Sequence, residues 1–77
     1  MKIQTLAKKL ETASKNTVKF MKKADEAKTE RTQEVNEYKS EEWNGKALEI
    51  TMLIKELFTT QEIAESANEY LILRECL

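Results

Sequence analysis

No proline and a single glycine, Gly45, interrupt this chain. Those two residue types supply most of the fixed and left-handed backbone geometry that tight turns and hairpin loops need. A sequence almost free of both has little means of building a β-rich or loop-rich fold, so its order must come from helices. The spacing of apolar residues agrees. At ~100° per residue, Ile3, Leu6, Leu10, Ala13, Thr17, Phe20, Ala24 and Ala27 follow one 3-4-3-4 repeat, a narrow seam of the a/d type. Val35 and Tyr38 resume the spacing after a polar stretch, Lys28 to Glu34, whose residues are all tolerable in a helix.

The only punctuation is Trp43-Asn44-Gly45, which holds the sole tryptophan beside the sole glycine. Asn-Gly is a strong turn pair, and glycine readily takes the left-handed conformation that ends a helix. The pattern therefore predicts a helix over about 2–41, a turn over about 43–46 and a second helix over about 46–75. The first helix alone would measure roughly 55–60 Å. Thr59 with Glu62 fits a capping box, so a break near Thr59 and one continuous second helix are both open.

At 77 residues this is one domain with a thin core. The second half of the chain is the richer in large apolar side chains, and they lie on more than one side of its helix. A two-helix hairpin cannot bury both of those sides. The expected architecture is therefore all-α, an antiparallel helical hairpin pairing into a four-helix bundle as a homodimer or heterodimer. Leu6, Leu10, Phe20, Ile50, Leu53, Ile54, Leu57 and Phe58 are the expected partner interface.

Charge adds an asymmetry. Residues 1–28 carry eight lysines against three acidic residues, while residues 29–77 carry eleven glutamates against five basic residues, and the whole chain is at −1. A hairpin or dimer would bring the two halves together. Lys8, Lys15, Lys19, Lys22 and Lys23 cluster on one arc of the first helix, and the first four are candidate anion-binding residues. Nucleic acid is not the expected partner, because the arc has no arginine and no interleaved aromatic except Phe20, which lies on the apolar side.

Several function classes are excluded. The chain has no histidine and one cysteine, Cys76, so it has no intrachain disulfide, no Cys/His zinc site and no histidine-based triad. Ser14, Ser40 and Ser66 have no base in sight, and no EF-hand spacing exists. Neither a catalytic residue nor a cofactor or metal site is expected, and the protein is read as non-enzymatic. Cys76 is read as incidental, or as exposed and able to crosslink a dimer. The most apolar stretch, Ile50 to Phe58, is broken by Thr51, Lys55 and Glu56 and is far below ~20 residues, so no membrane insertion is expected. The first residues lack the apolar core of a signal peptide. The expected location is the cytoplasm, with export that uses no cleaved signal left open.

A long helix, a Trp-x-Gly turn and a second helix together resemble the WXG100 family of type VII secretion, with Trp43, Gly45 and the following Ala47 in the familiar places. The resemblance implies a dimerising hairpin that is secreted, or that serves as targeting or chaperone partner of a larger exported toxin. It also implies that Trp43 packs at the hairpin end and that Gly45 lets the chain reverse. Two departures stand out. The second helix is shorter than the family's, and the family's Tyr-x-x-x-Asp/Glu export signal is not matched at Tyr70, which is followed by Arg74 and only then Glu75. Tyr38 and Glu42 have the right spacing but would precede the turn. These departures favour a partner that relies on another subunit's signal. The alternative readings are a small phage or mobile-element protein that binds and inhibits a host or defence protein, and a nucleic-acid-binding regulator acting through the lysine-rich first helix.

Overall fold

In the computed structural model, which describes residues 1–77, the chain reverses at Glu26–Thr29. Two long helices flank the reversal, α1 (Ile3–Asp25) and α2 (Glu30–Leu57). They are followed by a short α3 (Thr60–Ser66) and a terminal 3-10 helix (Leu71–Cys76). Lys22 and Lys23 sit in the last turn of α1, where cations complement the exposed carbonyls. Thr29 is extended (φ −124°, ψ 150°), and its hydroxyl accepts a hydrogen bond from the Thr32 N–H at 3.2 Å. With Glu30 in the first turn, this caps α2.

The expected turn at 43–46 is thus incorrect. Trp43, Asn44 and Gly45 are interior residues of α2, and Gly45 has no positive φ. Register explains why. The Ser40 hydroxyl donates to the Thr17 carbonyl at 3.0 Å, which fixes how the antiparallel helices align. Carried along the pair, this alignment brings Leu10 level with Ala47, and Ile3 level with Ile54. All four belong to, or pack against, one apolar cluster. A reversal at Trp43–Lys46 would instead draw Ile3, Leu6 and Leu10 away from Ile54 and Ala47 and forfeit that cluster. The cost of one glycine inside α2, about 1 kcal/mol, is small beside that loss. The molecule is 46 Å along its longest axis, shorter than the roughly 55–60 Å helix expected from the sequence.

The second half of the chain is also broken. Phe58 leaves the helical conformation (φ −128°, ψ 148°), and Thr59 starts α3 with a complete capping box. The Thr59 hydroxyl accepts from the Glu62 N–H at 3.2 Å, and a Glu62 carboxylate oxygen accepts from the Thr59 N–H at 3.0 Å. Of the two readings open at Thr59, the break is the one observed. After Ser66 the chain turns, passes through the extended Tyr70 and closes as the 3-10 helix, so the second helix does not run to residue 75.

This return places the core at the open end of the hairpin. Nine buried residues form it: Ile3, Leu6, Ala7 and Leu10 from α1, Ile54 from α2, Ile63 and Ala67 at α3, and Leu73 and Cys76 from the 3-10 helix. Leu6, Leu10, Ile54 and Leu73 are fully enclosed. Each such side chain is worth about 1.5–3 kcal/mol in burial. Toward the turn the helices touch through small residues, with Ala13, Ala24 and Ser40 buried. No buried side-chain polar atom lacks a hydrogen-bond partner.

Candidate interaction surface

The expected partner interface divides in two. Leu6, Leu10 and Ile54 are fully buried inside the chain's own core, and Ile50, Leu53 and Phe58 pack against it. Leu6, Leu10 and Ile54 therefore serve intramolecular packing, a correction that follows from the register of α1 on α2, while Ile50, Leu53 and Phe58 stay half-buried. Leu57 stays 52% exposed, and Phe20 is half-buried outside the core cluster. The apolar residues left open are others: Val18 and Met21 on α1, and Val35, Tyr38, Leu48 and Met52 on α2. Tyr38, Gly45 and Met52 are seven residues apart in turn and share the side of α2 turned away from Ile54. Glu42, one turn beyond Tyr38, holds the Tyr38 phenol above its usual range by hydrogen bonding and charge. Both residues follow the observed turn rather than preceding it.

The four candidate anion-binding lysines do not form one site. Lys15 is paired with Glu11 at 2.8 Å, beside the depression where Tyr70–Ile72 meet α1. Lys22 is exposed in the last turn of α1. Lys8 and Lys19 lie instead on a two-helix face that also carries lysines the sequence reading passed over. Lys8, Lys9 and Lys46 line a groove between α1 and α2 to which Ala13, Trp43 and Ile50 contribute the apolar lining. The Lys46 ammonium stands 4.3 Å from the centre of the Trp43 ring. Farther toward the turn, Lys19, Lys23 and Lys39 stand 5.8, 5.2 and 5.4 Å from the centre of the Phe20 ring. These are cation–π distances. A signal for this face exists in the sequence. Lys39, Trp43, Lys46 and Ile50 are spaced 4, 3 and 4, but only a helix that continues through Gly45 puts them on one side.

Trp43 thus lines a groove in mid-helix instead of capping a hairpin end. Gly45 is not required by its conformation, since a Cβ there would meet nothing within 4 Å. Cys76 is buried, at 3% exposure, so of its two readings the exposed crosslinking thiol is not the one observed. Burial pushes its thiol pKa up, against the opposing effects of a Thr51 hydrogen bond and the Lys55 charge. No group of three or more Cys, Asp or Glu side chains is arranged to hold a metal ion. No helix is long and apolar enough to cross a membrane.

The resemblance to the WXG100 family rests on the hairpin and on residues whose positions relative to the turn differ from those expected. No family model, curated protein or solved structure matches the chain.

Proposed function

We propose that the protein is a non-enzymatic helical interaction module that pairs with a second helical chain along its two long helices. The observation that carries this reading is the distribution of apolar surface. The core is confined to one end, while Val18, Met21, Tyr38, Leu48 and Met52 stand exposed on α1 and α2. Open apolar positions at helical spacing on two adjacent helices are what a third or fourth helix covers. Pairing of two hairpins into a four-helix bundle is one form of this arrangement, and a heterodimer is the other.

Service as a targeting or chaperone partner in type VII secretion is a narrower form of the same reading. The hairpin supports it, as does the Tyr38-x-x-x-Glu42 spacing on the second helix. The mid-helix position of Trp43-Asn44-Gly45 counts against it. Inhibition of a host or defence protein would use the same exposed side chains.

Sedimentation equilibrium over a wide concentration range tests self-pairing, and affinity capture tests hetero-pairing. Each is run on the wild-type chain and on a Leu48→Glu/Met52→Glu variant whose helical circular dichroism is unchanged. The proposal expects association or a captured helical partner that the variant loses. A chain that stays monomeric, with an identical captured set for both forms, refutes it.

A further inference from the structure

We infer that the lysine-rimmed groove between α1 and α2 is a docking site for an acidic amphipathic helix of a partner protein. This goes beyond the interaction-module reading: none of the exposed apolar residues that carry that reading lines the groove, so the inference assigns a second face and the partner chemistry it fits.

The groove has an apolar lining, with Ala13 from α1 and Trp43 and Ile50 from α2. Lys8, Lys9 and Lys46 line it, and farther toward the turn Lys19, Lys23 and Lys39 stand around Phe20. The one ion pair in the chain is Lys15–Glu11, so none of these six lysines has a carboxylate partner. Three ammonium groups stand within 6 Å of the centre of the Phe20 ring, so this part of the face is cationic. An anionic occupant complements that charge, and an apolar stripe on the same occupant covers Trp43 and Ile50. Glu42 and Glu49, on either side of Lys46 in sequence, form no ion pair with it.

Length and shape favour a helix. From Lys9 to Lys23 the strip runs about 21 Å along α1, or about four turns of a docked helix. The channel between two antiparallel helices is the natural seat for a third. Single-stranded nucleic acid fits less well. Base stacking needs open ring faces, whereas lysines stand over Phe20, and Trp43 is half-buried in the groove under Lys46. A second copy fits less well too. The acidic outer side of α2, with Glu34, Glu41 and Glu56 beside Tyr38 and Met52, would enter the groove of the next copy in a heterologous contact. Such contacts propagate into open chains unless a rotation closes them.

Trp43 is the sole tryptophan and lies in the groove, so its fluorescence reports occupancy. The full chain is titrated with three probes lacking tryptophan. The first is a synthetic amphipathic peptide with Leu at positions i, i+3, i+4 and i+7 and Glu on its remaining positions. The second is the same peptide with Lys in place of Glu, and the third is oligo-dT. The expected result is a Trp43 blue shift and protection from acrylamide quenching with the acidic peptide alone. Binding should weaken at least roughly tenfold in a Lys9→Glu/Lys46→Glu variant. It should also weaken when salt rises from about 10 to about 150 mM, as the screening length falls from about 30 to about 8 Å. Lys15→Glu/Lys22→Glu, off the groove, should bind as wild type.

Equal loss in both charge-reversal variants overturns the site. Preference for oligo-dT, or equal binding of the two peptides, overturns the assigned occupant. Concentration-dependent self-association that is lost in Lys9→Glu/Lys46→Glu assigns the groove to a second copy and overturns the partner helix. Should no probe bind while the wild-type chain still shows association lost in Leu48→Glu/Met52→Glu, the groove inference falls and the interaction module stands.

Discussion

Replacing Gly45 by alanine gives a test in which the sign of the result separates two folds. Gly45 sits inside the 28-residue α2, well away from both ends, without a positive φ. An added Cβ would meet nothing within 4 Å, so no clash offsets the gain. Alanine is better than glycine in a helix interior by about 0.8–1.0 kcal/mol, because the glycine backbone loses more freedom on folding. Gly45→Ala should therefore stabilise the chain by about 1 kcal/mol. For a domain of this size that raises Tm by roughly 4–8 °C. With a urea m-value of about 1 kcal/mol/M, the unfolding midpoint moves up by roughly 1 M. Far-UV circular dichroism and Trp43 fluorescence should give coincident transitions, the condition for reading the shift as a free energy. A turn at 43–46 with Gly45 left-handed requires the opposite, since a side chain there costs about 1–2 kcal/mol. A lower Tm for Gly45→Ala would refute both the continuous α2 and the register argument built on it.

Ile54→Ala removes a fully buried side chain at the α1–α2 core and should cost about 2–5 kcal/mol, measured by urea denaturation. In so short a chain that approaches the whole stability. Thr59→Ala should cost about 0.5–2 kcal/mol through loss of the α3 cap. The backbone and hydroxyl hydrogen bonds of Thr59 lower the Glu62 pKa, so the contribution of that ionised carboxylate is present above the ordinary Glu range. It is lost as pH falls through the depressed folded value. An NMR pH titration should find the Glu62 midpoint below the ordinary Glu range in the wild type and only part of the way back in Thr59→Ala, which removes the hydroxyl but keeps the backbone N–H. Cys76 should react slowly with a thiol reagent such as DTNB in the native state and rapidly in denaturant, because its thiol is buried and its pKa raised. Equal rates in the two states would show that the 3-10 helix does not stay docked.

Much of the fold was legible in the sequence, because local spacing encodes it. The 3-4 seam from Ile3 to Ala24 became the buried stripe of α1, and Thr59 with Glu62 became a complete capping box. The turn was not legible by the same means. Asn44-Gly45 is the stronger local signal, yet a helix absorbs one glycine at modest cost. The Thr29 cap is the weaker signal, yet it sits where Thr17 can meet Ser40. Alignment of two helices is a non-local quantity, set here by the apolar residues that meet across it, Leu10 with Ala47 and Ile3 with Ile54. The basic face was missed for a related reason. Lys8, Lys15, Lys19 and Lys22 are neighbours on the surface of one helix, whereas the observed cluster draws on two, with Lys39, Trp43 and Lys46 supplied by α2.

The position of the core sets what this chain must bring together in order to fold. Ile3 and Leu6 near one end of the sequence share a cluster with Leu73 and Cys76 near the other. The intervening loop must close before burial offsets its entropy, and that closure cost precedes any reward. Until Ile54 and Leu73 dock, Ile3, Leu6 and Leu10 have little apolar surface to cover them, so the burial of the α1 stripe waits on contacts far away in sequence.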